Sequence, residues 1–169
     1  MKIRIMASSL LALGFLVISS GPSLAWDVES ELDDFGSPAV FARTYFMQGV
    51  GNTDSFDTAY DNGDYEALYV RCQDKQLEVY VTSKNKLFAD SSSALVKFGN
   101  GSAKTWTVSR STDQSAIFLY KTSSLIASMK KVSKFYLRAD GSEGYLTANF
   151  NVKGLSKYSS TFKKAGCKI

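Results

Sequence analysis

The stretch Glu66-Ala67-Leu68-Tyr69-Val70-Arg71-Cys72-Gln73-Asp74-Lys75-Gln76-Leu77-Glu78-Val79-Tyr80-Val81-Thr82 decides the fold class. Leu68, Val70 and Cys72 occupy alternate positions, as do Leu77, Val79 and Val81. A period of two marks a strand with one buried face. Asp74-Lys75 between the two runs is a short hairpin connection. The same alternation turns the Cys72 sulfur toward the core.

Working outward, the period of two persists. Trp26, Val28 and Leu32 alternate with Asp27, Glu29, Glu31 and Asp33, which suits an edge strand with a charged outer face. Residues 40–47 form a second strand after the Gly36-Ser37-Pro38 break. Residues 94–98 and 104–110 flank the Asn100-Gly101 turn, and residues 115–120 and 134–139 are further strands. Between these last two, Leu125, Ile126 and Met129 are spaced for a short helix, with Thr122 or Ser123 as its cap and Lys130 and Lys131 at its C-terminal end. Asp140-Gly141 turns the chain into a strand over 144–152. Leu155, Tyr158, Phe162 and Ala165 then fit one helical face, which Gly166 terminates. The expected fold is mainly β: an antiparallel β-sandwich or partly open barrel of about eight strands, with a short helix and a C-terminal helix.

The first 25 residues carry Lys2 and Arg4, an apolar run over 10–18 and the small-residue pattern Ser23-Leu24-Ala25. Basic, apolar and small in that order is a secretory leader, and the run is about half the ~20 residues that a spanning helix needs. Residues 1–25 are therefore expected to be a signal peptide cleaved before Trp26. Residues 26–169 are expected to form a single disulfide-closed β domain, soluble, with no transmembrane anchor, in the periplasm or outside the cell. Cys72 and Cys167 are the two cysteines of the chain, and an even count in an exported protein implies a bridge with one possible pairing.

The composition also narrows the chemistry. The sequence has no histidine, which removes the usual general base near neutral pH and any Ser-His or Cys-His nucleophile pair. Residues 26–78 hold 12 acids and 3 bases, whereas residues 79–169 hold 4 acids and 15 bases. Such asymmetry marks either a partner-binding face or strands of the two halves that pair and neutralise one another. Thirteen of the 15 bases are lysines, and export argues against nucleic acid as a partner.

The long segment over 48–64 contains Asp54, Asp57, Asp61 and Asp64. Aligning Gly63 with the glycine of an EF-hand puts Thr58 and Tyr60 at the first and third ligand positions, so a calcium loop is not expected. The four aspartates are candidates for contact with a partner on a solvated loop. Ser-x-x-Lys recurs at Ser83 and Lys86, Ser128 and Lys131, and Ser160 and Lys163, without the Ser-Asp-Asn or Lys-Thr-Gly that accompanies it in serine-lysine enzymes. Tyr69, Tyr80, Phe118 and other strand aromatics are expected to pair across strands, with a stacking platform as the other reading. No catalytic, cofactor-binding or metal-binding residue is assigned.

The runs Leu68-Tyr69-Val70-Arg71-Cys72 and Leu77-Glu78-Val79-Tyr80-Val81, then Trp106-Thr107-Val108-Ser109, Ala148-Asn149-Phe150-Asn151-Val152-Lys153-Gly154-Leu155 and Cys167, resemble small exported bacterial proteins named after the type VI secretion accessory protein VasI. The likeness covers about residues 66–167. It implies a bacterial envelope protein with one disulfide and no known catalytic residues. The expected function is a non-enzymatic exported binding or accessory protein that contacts another protein through strand edges or the acidic loop, its oligomeric state left open. An inhibitor of an exported or host hydrolase is the first alternative. An envelope-polymer hydrolase using a pair of carboxylates is the second. N-terminal sequencing of the exported protein should begin at Trp26; a chain still starting at Met1 would refute the leader.

Overall fold

The structure, a computed structural model, describes residues 26–32, 37–47, 51–53, 65–84 and 86–169. The expected leader and Asp54, Asp57, Asp61 and Asp64 lie outside the described residues. Among the described residues there are ten strands: β1 (Asp27–Leu32), β2 (Pro38–Met47), β3 (Gly51–Thr53), β4 (Tyr65–Gln73), β5 (Gln76–Ser83), β6 (Ser93–Phe98), β7 (Lys104–Arg110), β8 (Ala116–Leu119), β9 (Lys134–Gly141) and β10 (Gly144–Asn151). Helix α1 (Thr122–Met129) separates β8 from β9. After β10 a 3-10 turn (Leu155–Tyr158) leads into α2 (Ser159–Lys164).

All pairings are antiparallel, and nine strands follow one path, β1-β2-β4-β5-β8-β7-β6-β9-β10, with β3 paired to β2 beside it. The architecture is one open antiparallel sheet. Strand alternation reports that each strand has a buried face. It does not report whether the facing layer is a second sheet or something else. Here the inward residues of every part of the path, among them Val40, Val70, Val79, Ile117, Val108, Val96, Leu137 and Ala148, belong to one core. Cα atoms of β10 return to within 8 Å of β2 and β3, without a hydrogen-bonded register between them among the described residues. The sheet is therefore curled, and the helices fill its hollow: Leu125, Ile126 and Met129 of α1 and Phe162 of α2 are buried in the same core.

Local chemistry explains most of the connections. Asp74 and Lys75 both take left-handed backbone (φ 51° and 61°), the conformation that a two-residue hairpin between right-twisted strands requires. The β9–β10 turn lies two residues later than the Asp140-Gly141 reading placed it. Strand β9 runs on to Gly141, which pairs with Gly144, so the connection is Ser142-Glu143. A Cβ at Gly141 would sit 2.8 Å from the Gly144 carbonyl oxygen, and this close approach is what the glycine allows.

Three further expectations need correction. Part of the segment read as loop, Gly51–Thr53, is a strand on the edge of β2. Neither Thr122 nor Ser123 caps α1. The N-cap is Lys121, in left-handed conformation and without a side-chain cap bond, because Thr122 already lies inside the helix. The C-terminal helical face begins as a 3-10 turn rather than an α-helix, which still directs Leu155 and Phe162 inward.

Cys72 and Cys167 form a disulfide with a Cα–Cα distance of 5.9 Å across a sequence separation of 95. Both residues are buried. Gly166 (φ 91°) ends α2, and the Cys167 amide donates to the Phe162 carbonyl, so the last turn closes immediately before the bridge. No described helix is long and apolar enough to cross a membrane. Replacing both cysteines with alanine should lower unfolding free energy by about 2–4 kcal/mol in denaturant titrations. Equal midpoints and slopes for oxidised and double-alanine protein would show that the bridge adds nothing to stability.

Candidate functional site

Side chains alternate between the two faces of each strand, so the register fixes which residues meet on the outer surface. One line of residues crosses the first half of the sheet at right angles to the strands. Asp27 faces Arg43, Arg43 faces Tyr69, Tyr69 faces Tyr80, Tyr80 faces Phe118 and Phe118 faces Ser109. A parallel rung beside it runs Glu29, Phe41, Arg71, Glu78. A third runs Tyr45, Ala67, Thr82, Ala116.

The rings of the first rung are in contact. Tyr69 and Tyr80 stack with centroids 4.8 Å apart and planes 6° from parallel, and Phe118 lies 5.3 Å from Tyr80 at 40°. Aromatic pairs of this kind contribute about 0.5–1.5 kcal/mol beyond their buried area. The guanidinium carbon of Arg71 lies 5.2 Å from the Tyr80 centroid. Tyr45 is fully buried at the flank of the strip and meets Tyr65 edge-on at 5.8 Å.

Arginine–carboxylate pairs frame the rings. Arg43 donates from Nε to Asp27 at 2.8 Å and from its second nitrogen to Glu29. Arg71 donates from Nε to Glu78 at 2.8 Å, with a second bond from its terminal nitrogen to the same oxygen. Burial works against the Arg43 charge, but the hydrogen bond to Asp27 and the fields of Tyr45, Asp27 and Glu29 outweigh it and raise its pKa above the ordinary arginine value. Burial likewise holds the Tyr45 and Tyr69 phenols above their usual range. It pushes Tyr80 up to about 12 even though Arg71 beside it pulls the other way. The rung thus presents neutral phenols beside the Arg43 cation at physiological pH.

The strand aromatics do pair across strands, as their spacing predicts. Arg43, Arg71 and Glu78 were not singled out by the sequence, although one signal was available. Tyr69 and Tyr80 stand five residues on either side of Asp74-Lys75, so a two-residue turn places them opposite each other. On the inner face Glu66 is 1 % exposed, opposite Phe46 and Ser83, and Thr44 is buried two positions along β2. No alternation pattern distinguishes a buried glutamate from an outward one.

The Ser-x-x-Lys positions are dispersed. The Ser83 hydroxyl accepts from the Lys86 amide at the end of β5, the Ser128 hydroxyl donates to the Ser124 carbonyl in α1, and Ser160 and Lys163 lie on α2. Among the described residues no group of three or more Asp, Glu, Cys or His side chains is placed to hold a metal ion.

Because the folded state raises the phenol pKa values, tyrosine burial stabilises the protein below the unfolded tyrosine pKa of about 10 and that contribution is lost as pH rises toward about 12. The unfolding midpoint should therefore fall over this interval, and it should fall less in Tyr80→Phe. An identical fall in both proteins would show that Tyr80 is not held neutral by the fold. The chain matches no protein-family model, and no curated protein and no solved structure is similar to it.

Proposed function

We propose that this protein is a non-enzymatic binding or accessory protein of the bacterial envelope, exported to the periplasm or beyond, and that it contacts another protein through the outer face of β2, β4, β5 and β8. The observation that carries this reading is the rung Arg43-Tyr69-Tyr80-Phe118 with Arg71 over Tyr80. Tyrosine and arginine are the residues on which protein interfaces concentrate their binding energy, and here they are held rigid by stacking and ion pairs before any partner arrives. The disulfide supports an oxidising compartment. The resemblance to the VasI group would make a component of a secretion apparatus the natural partner.

A photo-crosslinking residue at Phe118 should capture one partner from intact envelope, and the same residue at exposed Thr105 of β7 should not. Excess unlabelled wild-type protein should compete the capture away, whereas excess Tyr80→Ala should compete at least about tenfold less well. Equal competition by both would move the contact off this face. Changing Asp54, Asp57, Asp61 and Asp64 together to Asn tests the acidic segment separately: unchanged capture would exclude it from the interface.

A further inference from the structure

We propose that the outer face of β6, β9 and β10, on the opposite half of the sheet from the aromatic rung, binds an anionic polysaccharide. An open groove of about 320 Å³ runs over this face, lined by Leu95, Lys97, Ala103, Tyr136, Arg138 and Thr147. Lys97 stands directly opposite Tyr136, and Arg138 stands opposite Leu95. The two residues are therefore diagonal neighbours across one strand pair, with backbone positions about 7–8 Å apart.

Each cation rests on a phenol ring. The Lys97 Nζ lies 4.2 Å from the Tyr136 centroid, and the Arg138 guanidinium carbon lies 5.0 Å from the Tyr145 centroid. The ion pairs between described residues, Arg43 with Asp27 and Glu29 and Arg71 with Glu78, all lie in the acid-rich half, and neither Lys97 nor Arg138 takes part in one. Tyr145, on the last strand of the path, is 71 % exposed. One acid shares the face: Asp140, which faces Tyr145 across the β9–β10 pair.

This combination selects its ligand. Two positioned cations call for anionic groups, and the Arg138 fork suits a carboxylate or phosphate in particular. A largely exposed phenol ring offers a flat apolar surface for a sugar ring, with Thr147 and Asp140 nearby to bond hydroxyl groups. A protein partner would instead centre on apolar anchors enclosed in a dry pocket. The groove is open, and of its apolar lining residues Leu95 and Ala103 reach the surface, whereas Val96 and Leu137 are buried in the core beneath it. The excess of 15 bases over 4 acids in residues 79–169 adds long-range attraction toward a polyanion. This inference does not rest on the protein contact proposed above.

Polygalacturonate and phosphomannan, titrated into the purified oxidised protein, separate carboxylated from phosphorylated glycans. At least one should bind at low salt and weaken as ionic strength rises. Lys97→Gln with Arg138→Gln should weaken binding at least about tenfold, and so should Tyr145→Ala, which leaves the charge unchanged. Tyr145→Phe should bind as wild type, and Lys163→Gln with Lys164→Gln on α2 should change affinity little. Melting curves of each variant check that the fold is retained. Failure of both glycans to bind overturns the proposal. So does equal binding of poly-L-glutamate, or indifference to Tyr145→Ala, because each would reveal a polyanion or acidic-protein surface with no sugar recognition.

Discussion

The bond between Cys72 and Cys167 fastens the segment that follows α2 to a strand hydrogen-bonded on both of its edges. A single sheet buries one face only if another layer covers it. In this chain the cover near β2 and β4 is the C-terminal segment, which contributes Leu155, Phe162 and Ala165 to the core. The segment is short, and a short helix has little stability of its own. Its position comes from the apolar contacts beneath it and the covalent link at its end. The Tyr158 hydroxyl adds a long bond, 3.4 Å, to the Trp26 carbonyl, which ties the same segment to the start of β1.

With the inner face committed to the core, the surface chemistry of the sheet is that of its outer face. There the two halves differ in kind. On the first half the carboxylates of β1 and β5 meet Arg43 and Arg71, so the charges cancel locally and leave aromatic rings as the prominent feature. On the second half Lys97 and Arg138 have phenol rings as neighbours, so their charge is not cancelled and faces solvent. Among the described residues the two halves of the outer face thus differ in how their charges are met, and the ion pairs Arg43 with Asp27 and Glu29 and Arg71 with Glu78 stay within the first half.

Much of this was legible in the sequence, for a physical reason that can be stated residue by residue. Leu68, Val70 and Cys72 alternate because water and core lie on opposite sides of a strand, and the structure buries all three. The C-terminal face of Leu155, Phe162 and Ala165 announced itself by helical spacing and is buried too. The cap of α1 was missed because a serine or threonine near a helix start is a common cap only when it precedes the first turn, and here Lys121 holds that place. The β9–β10 turn was placed too early because Gly141 reads as a turn residue, whereas its lack of a side chain serves a close backbone approach at the end of a strand.

The sequence by itself determined that the chain would be built from antiparallel strands with one apolar face each, that its two cysteines would pair, and that acids and bases would be segregated. These are properties of nearest neighbours and of composition. Only the tertiary structure decided that the strands form one curled sheet around two helices, that Arg43, Tyr69, Tyr80 and Phe118 fall in line, and that Lys97 and Arg138 share a groove. Strand order and register bring together residues far apart in the chain, and no periodicity within a single strand encodes which strand will lie beside it.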